Sequence, residues 1–202
     1  MLVVVGGGFW LWEDVLEYRF IPKRWGTVVD GQVYRSGQLH PVLVKRTLAK
    51  HQIDLVISLI DPRYLSDWDE EADAAEQRAC DELGIERHVY PLSGDGTGEV
   101  TSYADTIAAI VEAMEQGRRV LVHCAAGAQR TGGAIAAFRV LVQGDAPADA
   151  RAEMADYDWD PRKDLTVLSY LDDHMAELVG RLVRMGVIEK APDPLPQLSP
   201  AF

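Results

Sequence analysis

The chain is expected to fold as an α/β domain in three layers, a central, mostly parallel sheet of four to five strands flanked by helices. Candidate strands recur at 32–35, 55–59, 87–91 and 119–123, and helical patterns lie between them at 42–50, 68–83 and 103–116. Gly84 and Gly117 stand where helix-ending glycines belong. Strands alternating with helices imply parallel pairing through right-handed crossovers. In such sheets ligands bind at the carboxyl ends of the strands.

Each element has a local reason. In the 103–116 segment Tyr103, Ile107, Ile110, Val111 and Met114 fall on one helical face. After the fourth strand come helical segments at 130–143, 147–156 and 165–185. Leu168, Leu171, Met175, Leu178 and Leu182 form a stripe on the last, expected to dock on the parent domain. The tail from Ala191, with prolines at 192, 194, 196 and 200, reads as extended and mobile. The expected layout is an N-terminal arm (1–25), one domain (26–186) and a flexible tail (187–202). Met1 to Trp12 is nearly all apolar or glycine, yet as a helix it spans only about 18 Å against a hydrocarbon core of about 30 Å. The expectation is a packed arm, with a truncated membrane anchor as the alternative.

Composition narrows the class. The 202 residues are 48% hydrophobic, enough for one sizeable core. A net charge of −12 argues against nucleic acid or a strongly anionic membrane as partner. Two cysteines, Cys80 and Cys124, give no disulfide framework, so a reducing compartment such as the cytoplasm is expected. If the arm is an anchor, the domain would instead be membrane-tethered. Cys80 reads as core, with a redox bridge to Cys124 as a minor alternative. No histidine has ligand spacing, so no metal is expected, and nothing calls for a cofactor.

The chemistry concentrates in one segment, Val120-Leu121-Val122-His123-Cys124-Ala125-Ala126-Gly127-Ala128-Gln129-Arg130-Thr131-Gly132. A strand leads into a helix through residues that are small apart from Gln129. The loop sits at a helix N-terminus, where free N–H groups and the macrodipole favour an anion. Gly127 lets the loop curl and turn its amides inward. The same field lowers the pKa of Cys124 toward a thiolate, and the Arg130 fork can grip two phosphoryl oxygens. A thiolate beside a bound phosphate is set up for covalent catalysis through a phosphocysteine. The phosphate-binding positions are Ala125, Ala126, Gly127, Ala128, Gln129 and Arg130.

His-Cys-x5-Arg-Thr-Gly at 123–132 resembles the signature of the cysteine-dependent protein tyrosine and dual-specificity phosphatases. Val33-Tyr34-Arg35-Ser36-Gly37-Gln38 resembles the opening strand of their compact, atypical dual-specificity-like branch. The resemblance covers residues 26–186 in layout, and only these two motifs are sharp. It implies the protein-tyrosine-phosphatase-like fold, with Cys124 as nucleophile, Arg130 as phosphoryl holder and Thr131 assisting departure of the thiolate. His123 would orient the loop and help keep the thiol ionised.

The resemblance also implies a general acid on a mobile loop about 30 residues upstream. Asp95, within Pro91-Leu92-Ser93-Gly94-Asp95-Gly96-Thr97-Gly98-Glu99, is the first candidate. The Trp-Pro-Asp triplet of the larger tyrosine phosphatases is absent. Asp61, at the end of another strand, is the rival, and Asp160 in Asp160-Pro161 a weaker one. Neutral residues at 125, 126, 128 and 129 point to a substrate with one phosphate, such as phosphotyrosine on a protein or a small phosphomonoester. Arg35, Lys45 and Arg63 remain possible pocket cations, which keeps inositol phosphates and phosphoinositides open. A rhodanese-like sulfurtransferase and an inactive phosphate-binding module are the other readings. Oligomeric state is not encoded in any recognisable pattern.

Overall fold

In the computed structural model, which describes residues 17–200, a five-stranded sheet has the order β1-β2-β5-β3-β4. Its strands are β1 (Gly26–Val29), β2 (Val33–Gly37), β3 (Leu55–Ile60), β4 (Glu86–Leu92) and β5 (Val120–Cys124). β1 runs antiparallel to β2, and all other neighbours are parallel. The helices are α1 (Val44–His51), α2 (Asp67–Leu83), α3 (Val100–Glu115), α4 (Gln129–Phe138), α5 (Pro147–Asp156) and α6 (Thr166–Arg184).

The expected three-layer architecture is present. β3 and β5 are buried along their whole length and form the sheet's centre. Strand alternation sends Val33, Leu55, Ile57, Val120 and Val122 toward α3, α4 and α6, where Tyr103, Ile107, Phe138, Leu168 and Leu178 complete one core. Val56 and Leu121 face the other way, onto Leu48 of α1 and Ala75, Ala79 and Cys80 of α2. Cys124 belongs to the first cluster and Cys80 to the second, so the sheet separates them. Burial pushes the Cys80 thiol up to about 12, and the suggested redox bridge does not fit this geometry.

Several elements depart from expectation. β1 is too short, at four residues, for its alternation to stand out. The helix expected at 130–143 is α-helical only as Gln129–Phe138, then widens into a π-turn, Arg139–Gln143, and ends at Gly144 with φ of 76°. Gly84 closes α2 in the left-handed conformation as anticipated, and the five-residue stripe of α6 is buried throughout. No described helix is long and apolar enough to cross a membrane. The segment Met1 to Trp12 lies outside the described residues.

Both described ends of the chain pack against the domain, and at the second end this departs from the mobile tail that was expected. Residues 17–25 are tied to β2 and to the loop after β5, so the packed unit extends upstream of residue 26. The tail is docked. Leu198 is fully buried in the main core. The backbone N–H groups of Leu198 and Ser199 both donate to the Asp172 carboxylate of α6, the second at 2.8 Å. Arg151 of α5 donates to the Leu198 carbonyl at 2.9 Å. Proline spacing reports an extended backbone but is silent about the apolar residue that anchors it. Leu198→Ala is therefore expected to lower stability by about 2 kcal/mol, the low end for a buried leucine. The denaturant midpoint measures this, and an unchanged midpoint would mean that the tail does not contribute.

Candidate active site

β5 ends at Cys124 and α4 starts at Gln129, and the loop between them is held from outside. The Ala125 carbonyl accepts from the Gln38 N–H at 3.2 Å. Arg24 Nη1 donates to the Ala126 carbonyl at 2.8 Å, and Arg35 Nη2 to the Gly127 carbonyl at 3.0 Å. In a planar trans peptide the next N–H points opposite to the carbonyl. Three carbonyls drawn outward therefore turn the N–H groups of Ala126, Gly127 and Ala128 inward. The Gly127 N–H shows the result, donating to Cys124 Sγ at 3.1 Å. Gly127 has φ of 85°, and a Cβ there would lie 2.5 Å from the Gly37 nitrogen. Backbone conformation and crowding each demand glycine at that position.

The anchors are themselves anchored. Arg35 is fully buried, with its guanidinium 3.9 Å above the Tyr157 ring and 3.4 Å from Glu153 of α5. Burial lowers its pKa, and Glu153 opposes that. Arg24 also pairs with Asp158 at 2.7 Å, and the Lys23 carbonyl accepts from the Gly37 N–H at 2.7 Å. The segment before β1 is thus a strap across the outside of the loop.

Cys124 is almost wholly buried, which works against ionisation. Arg130, the hydroxyl and amide of Thr131 and the amide of Gly127 outweigh that, and the thiol pKa falls below its ordinary value. Thr131 Oγ1 makes no hydrogen bond of ordinary geometry, but it lies close enough to favour the anion. Arg130 Nη1 donates to the Leu59 carbonyl at 3.4 Å. Its Nε is buried without a partner among the described residues, a donor suited to an incoming oxygen.

Alternation along β5 turns His123 to the opposite face from Cys124. There its Nε2 lies 3.0 Å from the buried carboxylate of Glu76 on α2, and Glu76 is also 2.9 Å from Arg87 Nε. Burial disfavours charge on His123, but Glu76 prevails and raises its pKa. For Glu76 too burial works against the charged form, and His123 with Arg87 hold the carboxylate below its usual range. A Cys124 thiolate also raises the His123 pKa, so by reciprocity protonation of His123 favours the thiolate.

Above the loop is a cleft of about 260 Å³ with Ala125 and Arg130 in its lining. Ile60, Leu65 and Leu92 give it apolar surface, with Tyr64, Asp61 and Asp69 also contributing. The three candidate acids differ in placement. Asp61 lines the cleft, but both its oxygens accept from Arg63, at 3.0 and 2.7 Å, which lowers its pKa. Asp95 adjoins Ser93 and Gly94 of the lining. Its Oδ1 accepts from the amide and hydroxyl of Thr97, at 3.0 and 2.8 Å, and its pKa is lowered. Tyr103 grips this loop from α3, donating to the Gly96 carbonyl at 2.6 Å, and Tyr170 of α6 donates to that of Gly98. Asp160 is outside the lining, bound to Arg162 and Lys163, which hold it down to about 2.

None of the three suggested pocket cations lines the cleft. Arg35 lies behind the loop, Lys45 pairs with Glu82 at 2.6 Å on the surface of α1 and α2, and Arg63 is bound to Asp61. Sequence reasoning also missed Glu76 and the strap residues Lys23 and Arg24. For Glu76 a signal existed, since it falls on the Ala72, Ala79 and Cys80 face of α2, where an unpaired carboxylate would be costly.

No family model and no curated protein matches this chain. Solved structures do. Tk-PTP in its active form is 19% identical, with a TM-score of 0.57 over 77% of this chain and 95% of that one. TpbA of P. aeruginosa is 22% identical, with a TM-score of 0.56 over 78% and 88%. The catalytic core of the PP-IP phosphatase SIW14 from S. cerevisiae is 18% identical, with a TM-score of 0.60 over 87% and 97%. The chain has the fold of the cysteine-dependent phosphatases.

Two outcomes follow from the loop and its field. Gly127→Ala is expected to abolish tungstate binding in calorimetric titration while the far-UV dichroism stays native, because strain and collision together distort the cradle. Retained affinity would show that the inward amides are not needed. The thiolate is the form that alkylates, present above the folded pKa and lost as pH falls through it. Wild-type alkylation by iodoacetamide should therefore persist below the ordinary thiol range, and Glu76→Gln should move the profile to higher pH. An unmoved profile would remove Glu76 from the account.

Proposed function

We propose that this protein hydrolyses phosphate monoesters through a phosphocysteine and that its substrate is phosphotyrosine on a protein. The observation carrying the reaction is the buried Cys124, its pKa lowered, inside a loop whose amides face inward beside the unpartnered Nε of Arg130. Phosphoryl oxygens accept from the loop amides and the Arg130 fork. Cys124 Sγ attacks phosphorus, the bond to the ester oxygen breaks, and Asp95 gives that oxygen its proton. Water then attacks the phosphocysteine, Asp95 takes up a proton, and the P–S bond breaks to release phosphate with Thr131 stabilising the departing thiolate. For this work Asp95 must leave Thr97 and enter the cleft protonated. The apolar walls there favour the neutral acid.

The cleft supports the substrate class. Among the described residues Arg130 is the one cation in its lining, while Asp61 and Asp69 face a second phosphate with negative charge. Ile60, Leu65, Leu92 and Tyr64 suit an aromatic ring. TpbA, 22% identical with a TM-score of 0.58 over 81% of this chain and 96% of that one, is also known in complex with pTyr.

Hydrolysis of an aryl phosphate and of a phosphotyrosyl peptide tests the reading. Cys124→Ser should abolish turnover. Asp95→Asn should slow it at least about a hundredfold, most with a poor leaving group. Full activity in Asp95→Asn with loss in Asp61→Asn would reassign the acid. Inositol polyphosphates greatly outrunning the peptide would overturn the substrate class, and persulfide formation from thiosulfate without phosphate release would overturn the reaction.

A further inference from the structure

Resting on the phosphotyrosine reading, we infer that Lys23 of the N-terminal strap is a specificity residue that receives a carboxylate flanking the phosphotyrosine of the substrate. Its place near the cysteine follows from backbone geometry, because Gly37 pairs in register with Cys124 at the carboxyl end of β2. The Lys23 carbonyl is fixed by the Gly37 N–H at 2.7 Å, and the neighbouring Arg24 side chain holds the Ala126 carbonyl. A Cβ on Gly37 would lie 2.7 Å from the Ala126 oxygen and 2.9 Å from Lys23 Cδ. The lysine stem therefore crosses Gly37 directly beside the phosphate loop, in space that only a glycine leaves open.

Arg130 is committed to the phosphoryl group, and apart from it the other cations around the loop are paired while the Lys23 ammonium, among the described residues, is not. Arg24 is engaged by Asp158, Arg35 by Glu153, Arg63 by Asp61, and Arg87 by Glu76 and Asp73. Among the described residues Lys23 has no carboxylate within the 4.0 Å of an ion pair, and its Nζ lies 5.3 Å from the centre of the Tyr18 ring. The charged groups that act on it are Arg24, Cys124 and Asp69, the last of which lines the cleft. Burial and Arg24 lower its pKa, while Cys124 and Asp69 oppose them. It is a half-buried cation within electrostatic reach of both the reacting sulfur and the cleft.

Charge matching selects the ligand. One ammonium balances one carboxylate, whereas a second phosphate brings up to two charges to a cleft that already holds Asp61 and Asp69. Adjacent residues of a peptide are about 3.8 Å apart at Cα, so an Asp or Glu beside the phosphotyrosine stays on the side of the molecule where the Lys23 stem runs past the loop.

The experiment compares kcat/KM for two phosphotyrosyl peptides that differ only in Glu or Gln flanking the phosphotyrosine, with wild type, Lys23→Met and Lys23→Arg. Wild type should prefer the Glu peptide about three- to fivefold at low salt, the scale of a solvent-accessible ion pair, and lose the preference in high salt. Lys23→Met should bring the ratio near one. Lys23→Arg should keep it, which a folding defect would not do. An unchanged ratio in Lys23→Met, no preference in wild type, or an equal fall for both peptides would overturn the assignment; the last would mean that Lys23 serves the scissile phosphate. Turnover of the Gln peptide separately tests the phosphotyrosine reading. If neither peptide is cleaved while inositol phosphates are, that reading fails and the Lys23 assignment with it.

Discussion

Everything at the candidate site depends on three loop carbonyls being pulled outward. Left free, a glycine- and alanine-rich loop would sample many conformations and point its dipoles at random. Here Gln38, Arg24 and Arg35 each hold one carbonyl, and peptide planarity converts those external bonds into a ring of inward N–H groups. The electrostatic work of the site is thus done before any ligand arrives, which is the condition under which fixed dipoles are most effective. Burying Arg35 to achieve this is tolerable because Glu153, Tyr157 and the Gly127 carbonyl all receive its guanidinium.

A second constraint comes from the pleat of β5. Neighbouring residues on a strand face opposite sides, so Cys124 goes to the loop and His123 to the α2 layer. There the Arg87–Glu76–His123 chain favours the protonated imidazole behind the sulfur without occupying the cleft. The Cys124 thiol and the Arg87–Glu76–His123 chain are separated by the sheet itself. The same separation isolates Cys80 from Cys124 and leaves it an inert core thiol.

What the sequence revealed was local chemistry. The 123–132 segment carries its loop, its cysteine and its arginine within ten residues of chain, so spacing alone brought them together. Strand and helix order was equally readable, because the hydrophobic patterns are long. The missed features join residues far apart in the chain: Arg24 with Ala126, Glu76 with His123, Leu198 with Asp172. Arg35 was visible within its motif, yet its direction depends on which face of β2 is buried, and a four-residue β1 gave little help in deciding that. Asp95 lay in the right part of the chain, but its bonds to Thr97 are a property of the folded loop.

The central claim is that the loop is already an oxyanion receptor built around a thiolate. Its most direct measurement is a crystal structure of the protein soaked with tungstate. The account predicts the oxyanion above Cys124, accepting from the inward amides of the loop and from Arg130 Nε, with the Ala125, Ala126 and Gly127 carbonyls still on Gln38, Arg24 and Arg35. An empty loop with those carbonyls turned inward, or an ion bound elsewhere while Cys124 stays bare, would contradict it.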